Sequence, residues 1–202
     1  MLDVHFVLLG AVIAGVGTAL YLRDTLKGVT QPNRVTWLLW SAAPLLAFAV
    51  EVREGVGLRS LMTFVVGFSP LLIFLASFYN RASFWRIGWL DYLCGAVSVA
   101  GLGVWLATRH GTVAIVASIV ADALAAAPTL LKSWKQPESE TAAVYYGSTA
   151  NAVITLLTIR TWTTAVDAFP IYIAFISTVE IALVAGRIGP RLRLSLERTA
   201  PR

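Results

Sequence analysis

The sequence predicts an all-α membrane protein: seven transmembrane helices arranged as two parallel three-helix repeats joined by one linker helix, N-terminus outside, C-terminus cytoplasmic. Three observations predict it. Apolar residues make up 57% of the 202 positions and charged residues only 13%, against about 45–50% and about 25% in soluble domains. The apolar residues fall into seven runs separated by short polar breaks. Finally, the breaks sort by charge and by an internal repeat. A mean hydropathy of +0.74 over the whole length excludes a small anchor on a large polar domain.

Crossing about 30 Å of hydrocarbon takes about 20 mostly apolar residues. The runs that qualify are residues 4–22, 35–50, 60–79, 88–108, 112–131, 142–159 and 168–186. Turn and stop signals lie between them: Gly28 to Asn33 with Pro32, Glu51 to Gly57 with two glycines, and Lys132 to Glu140 with Pro137. No break is long enough for a soluble domain. Only the tail after Arg187 is polar enough to be disordered or to lie on the membrane surface. The first run is expected to stay in the protein as a helix, because Asp3 and His5 stand where a signal peptide carries basic residues and no convincing small-x-small cleavage site precedes Tyr21-Leu22-Arg23.

Alternate breaks face opposite sides of the bilayer. One set, with the tail, holds Arg23, Lys27, Arg34, Arg81, Arg86, Lys132, Lys135, Arg187, Arg191, Arg193, Arg198 and Arg202; the other holds Arg53, Arg59, Arg109 and Arg160. Basic residues accumulate on the cytoplasmic side. The tail is therefore inside, the N-terminus outside and the number of spans odd. This distribution also accounts for the net charge of +5 without nucleic acid.

An offset of 105 residues brings Gln31-Pro32-Asn33 onto Gln136-Pro137-Glu138, Lys27 onto Lys132, Thr36 onto Thr141 and Trp40 onto Tyr145. Both copies read helix, basic loop, helix. Three spans reverse direction, so two triplets run parallel only with one extra helix between them, the layout of parallel-repeat transporters. The units are residues 1–87, a linker helix at 88–111, residues 112–186 and a basic tail at 187–202.

The stretch Ala127-Pro128-Thr129-Leu130-Leu131-Lys132-Ser133-Trp134-Lys135 resembles the PQ-loop signature, in which Pro-Gln ends the first helix of a repeat and basic and aromatic residues follow. The likeness covers about residues 10–50 and 115–155. Thr129 stands where the glutamine would be, and Arg23-Asp24 replaces Pro-Gln in the first copy. The chain is thus similar to a divergent PQ-loop or SWEET-like membrane protein. The resemblance implies a fold shared by carriers of sugars and amino acids and by cargo receptors, with prolines of the first two helices of each repeat as hinges. Pro44 and Pro128 fit that position.

An acidic side chain at the bilayer centre costs about 2.5–3.5 kcal/mol on insertion scales, which makes it a candidate functional group. Asp122, mid-span among alanines, is a candidate to bind a solute hydroxyl or amine or to carry a proton; the structural alternative is a hydrogen bond to another helix. Glu180 is the second candidate, with snorkelling toward Arg187 seven residues on as the alternative. Asp91, one turn inside its span near Arg86, reads as an interfacial anchor. Tyr145, Ser148, Asn151 or Ala152, Thr155 and Thr158 recur every three or four residues and so share one helix face. That face either lines a hydrated path or joins helices, and Asn151, donor and acceptor at once, is its best ligand group. Trp37 and Trp40 either stack on a ligand or belong to an interfacial aromatic belt, as do Trp85, Trp89, Trp134 and Trp162.

Enzyme chemistry finds no support. Gly15-Val16-Gly17 is followed by Leu20, not a third glycine. His5 and His110 lie at the outer boundary, away from any nucleophile and acid. Residues 168–186 hold no lysine for a retinal Schiff base. Cys94 stands alone, and no Cys or His cluster has metal-ligand spacing, so no disulfide, metal or cofactor is expected. The expected function is transport of a small polar solute by alternating access in a cell membrane, along a path lined by Trp40, Asp122, Tyr145, Ser148, Asn151 and Glu180. A non-transporting receptor or partner-binding protein on the same scaffold is the alternative. The expected partners are the solute, the bilayer and, as an open question, further copies of the chain.

Overall fold

The computed structural model describes residues 2–53, 57–79, 88–108, 111–162 and 164–199. Among them are eight α-helices and no strand: α1 (Phe6–Leu26), α2 (Arg34–Arg53), α3 (Ser60–Ala76), α4 (Trp89–Thr108), α5 (Gly111–Lys135), α6 (Ala143–Thr158), α7 (Thr164–Val184) and α8 (Ile188–Thr199). Three segments are long and apolar enough to cross a membrane: Phe6–Leu26, Gly57–Ala76 and Val166–Val184. Helices α1 to α7 fall on the seven apolar runs of the sequence. Two boundaries differ in ways that matter. α5 continues to Lys135, which puts Lys132 inside a helix instead of in a loop, and the tail folds as the helix α8.

Helix ends follow from local chemistry. α1 stops at Gly28, whose positive φ of 78° suits a residue without Cβ. The Gly28 amide donates to Thr25 O and the Val29 amide to Asp24 O, 3.0 and 2.9 Å, the paired bonds of a Schellman cap. α2 begins under Asn33, whose Oδ1 accepts the amides of Val35 and Thr36. The Asn33 amide nitrogen donates to Asp91 on α4, and Asp91 also accepts the Gly88 amide at 2.6 Å. Asp91 is therefore buried and joins α4 to the start of α2, a correction to its reading as an interfacial anchor. The Arg86 proximity belonging to that reading lies outside the described residues.

The helices pack in a reciprocal pattern. α3 touches both α1 and α2, and α7 touches both α5 and α6. Between these groups α1 lies along α6 and α2 along α5. α4 rests on α5 and α2, and α8 on α5 and α7. The α1–α6 contact is antiparallel: Gly10 meets Asn151, Ala14 meets Gly147 and Gly17 meets Ala143. Small residues let these backbones approach closely. A Cβ on Gly17 would sit 2.4 Å from the Ala143 carbonyl oxygen, whereas one on Gly15 would meet nothing within 4 Å.

Gly17→Val should therefore lower the stability of the detergent-solubilised protein by about 1–3 kcal/mol, the usual cost of overpacking. Gly15→Val should leave the thermal unfolding midpoint close to that of the parent. Equal midpoints for the two variants would refute the close α1–α6 approach.

Candidate functional site

Where the two helix groups meet, a cavity of about 610 Å³, counting the part open to solvent, is walled by residues of α1, α2, α3, α5, α6 and α7. All six residues proposed from the sequence as a solute path, Trp40, Asp122, Tyr145, Ser148, Asn151 and Glu180, stand on its wall. Ala14, Trp37, Ser69, Pro70 and Ser177 join them, with aliphatic residues of α3, α6 and α7 between. A mostly apolar concavity with a few converging polar groups is the usual make-up of a small-molecule site.

The stripe on α6 divides into two parts. Thr155 Oγ1 donates to Asn151 O at 2.8 Å and Thr158 Oγ1 to Thr155 O at 2.7 Å, so these hydroxyls are spent on their own helix. Tyr145, Ser148 and Asn151 face the cavity. Asn151 is fully buried, and neither its Oδ1 nor its Nδ2 has a hydrogen-bond partner. Its space exists because α1 offers Gly10: a Cβ there would stand 2.6 Å from Asn151 Oδ1.

The two buried acids on the wall have different surroundings. Asp122 accepts the Tyr172 hydroxyl on one carboxylate oxygen at 2.6 Å, while its backbone carbonyl accepts Trp40 Nε1 at 3.4 Å. Glu180 is 1% exposed, and neither of its carboxylate oxygens has a hydrogen-bond partner among the described residues. Ser133, Lys132 and Glu140 are near enough to act on it, yet Ser133 Oγ closes no bond to it. Glu180 thus points into the bundle, which corrects the expectation that it snorkels toward Arg187. Arg187 takes a positive φ of 51° and approaches exposed Glu138 at 3.6 Å instead.

One end of the cavity abuts a buried polar cluster that the sequence did not reveal. Lys132 and Glu140, both with fully buried side chains, form an ion pair, and the Lys132 ammonium also donates to the Gln31 carbonyl. Glu140 Oε2 accepts the hydroxyls of Tyr21 at 2.7 Å and Tyr145 at 3.0 Å. The two basic loops touch here. The Gln31 amide donates to Ser139 O at 2.9 Å, Thr141 Oγ1 donates to Asp24 Oδ2 at 2.9 Å, and the Thr30 and Thr141 hydroxyls share a hydrogen bond.

Trp37, 2% exposed and packed on Tyr21 with ring centroids 4.9 Å apart, belongs to the core and not to an aromatic belt. Trp89 and Trp162 are exposed, as belt residues are, and Trp85 lies outside the described residues. Pro44 and Pro128 are buried within α2 and α5 but off the cavity wall, which carries Pro70 of α3 instead. Ser69, Ser177 and Tyr172 were not singled out from the sequence. Ser69 and Ser177 could have been, because an offset of 108, about one helical turn beyond that of the loops, relates them on α3 and α7.

The chain matches no known family model, and no curated protein or solved structure matches it either.

Removing one member of a buried ion pair costs about 3–5 kcal/mol, because the other is left unpaired. Lys132→Met should destabilise the protein by that amount in detergent unfolding, and the double variant K132M/E140Q should recover at least half of the loss. Additive losses would show that the two side chains do not interact.

Proposed function

We propose that the protein is a membrane carrier of a small polar solute, working by alternating access between two parallel three-helix units. In this reading α1–α3 and α5–α7 are the units, α4 is the linker that inverts the chain between them, and seven helices cross the bilayer with the N-terminus outside. The reciprocal contacts support it: each third helix packs on its own first and second, while α1 pairs with α6 as α2 pairs with α5. The resemblance of the loops to PQ-loop and SWEET-like proteins points the same way.

The observation that carries the proposal is the cavity. It takes wall residues from all six helices of the two units, none among the described residues from α4 or α8, and reaches the polar stripe of α6. A scaffold that only binds other proteins would favour a packed centre. A solute held between units, near the middle of the helices, is where a rocking carrier needs it. Pro44 and Pro128 remove one backbone donor each from α2 and α5, the helices in contact across the units, and so supply places for them to bend.

The test requires no knowledge of the solute. In a background where Cys94, the chain's only cysteine, is replaced by Ala, Ser148→Cys and Ser69→Cys should each react with a membrane-impermeant thiol reagent added from either side of sealed vesicles. Reaction from one side alone, or from neither, in a variant that elutes as a folded species, refutes alternating access.

A further inference from the structure

The chemistry of the wall restricts what the cavity can hold. Two carboxyl groups, Asp122 and Glu180, line it from α5 and α7, and among the described residues no lining residue is Lys, Arg or His. The nearby Lys132 ammonium is already engaged by Glu140 and the Gln31 carbonyl. Buried carboxylates demand partners, since an unpaired buried charge is costly. Asp122 has the Tyr172 hydroxyl on one oxygen; Glu180 has no hydrogen-bond partner on either. Trp37 and Trp40 add indole surface to the same wall, and indole faces attract organic cations. Asn151, buried and unpartnered on the wall, offers a further polar contact.

From this juxtaposition we infer that the solute is a small organic cation bearing a protonated or quaternary amine. Its charge is met by Glu180 and Asp122, its carbon skeleton by Trp37 and Trp40, and its polar remainder by Asn151. Anionic solutes are rejected, because two carboxylates face them with no compensating base. A neutral polyol could satisfy Asn151 and the serines but would leave Glu180 without a counter-charge. This inference rests on the carrier reading for its setting but is decided by a different measurement.

The experiment is thermal unfolding of the purified full-length protein with choline, ethanolamine or lysine as cationic probes. Glucose and 3,3-dimethylbutan-1-ol, the uncharged isostere of choline, serve as neutral probes and succinate as the anion. A ligand that binds only the folded form raises the midpoint. About 10 mM probe is a hundredfold excess over a Kd of about 0.1 mM, enough for a clear rise. At least one cation should raise the midpoint saturably, with 3,3-dimethylbutan-1-ol and succinate silent. Glu180→Gln and Asp122→Asn, each eluting as a folded species, should weaken that binding by roughly tenfold or more, the effect of losing a charged partner. The inference is overturned if glucose or succinate stabilises and no cation does, if no cation stabilises, or if both variants bind as the parent does. Each of those results leaves the carrier reading intact when Ser148→Cys still reacts from both sides. One-sided labelling removes that reading whatever binds.

Discussion

A lysine inside a helix bundle cannot stand alone, and the position of Lys132 one turn before the end of α5 dictates much of the architecture around it. Its ammonium requires an anion, and Glu140 at the start of the next segment supplies one. Glu140 in turn has a second oxygen to satisfy in a place without water, and takes the hydroxyls of Tyr21 and Tyr145. The remaining capacity of Lys132 goes to the carbonyl of Gln31, in the loop after α1. Two facing loops and three helices are thereby joined through one pair of charges. The tie is specific, since no apolar contact would fix the loops in this register.

Close approach and open space are complementary products of the same sequence choices. Small residues along α1 and α6 bring these two helices together at Gly10, Ala14 and Gly17. The larger side chains Trp37 and Trp40 of α2, edge to face with ring centroids 5.2 Å apart, prop the other side. The cavity lies between a tight seam and an aromatic wedge. Asn151 belongs to both: its backbone and Oδ1 are what a side chain at position 10 would strike, and its amide lines the open space. A glycine in one helix thus sets where a cavity-lining asparagine of another can sit.

Features that depend on spacing along the chain were legible in the sequence; those that depend on pairing across it were not. Apolar run lengths placed seven helices, and the period of α6 put Tyr145, Ser148 and Asn151 on one face, which the cavity occupies. Acids inside long apolar runs are rare enough to be noticed singly, so Asp122 and Glu180 were visible. Their partners were not: Tyr172 is 50 residues from Asp122, and Tyr21 is 119 residues from Glu140. Glu180 and Arg187 misled because seven residues along a helix return to nearly the same face; the chain leaves α7 after Val184 and turns at Arg187 before that periodicity applies. Asp91 misled because its nearness to a span end suggested water, whereas Asn33 from another helix covers it.

For the proposed carrier, the bonds at the clustered loops divide into those within one unit and those that cross between the two. The Lys132–Glu140 pair and the Tyr145–Glu140 bond both lie within residues 112–186, so separating the units leaves them intact. What must part are the bonds that cross: Tyr21 to Glu140, Lys132 to Gln31, Gln31 to Ser139, and Thr141 to Asp24 and Thr30. Two of these are neutral hydrogen bonds, contributing about 0.5–1.5 kcal/mol each in net terms, and three involve a charged group, Glu140, Lys132 or Asp24, at about 1.5–3 kcal/mol each. The expense of separating buried charges, about 3–5 kcal/mol for a lost partner, is thereby kept out of the motion. Tyr145 carries the connection, since the same ring lines the cavity and donates to the carboxylate whose other tyrosine must let go.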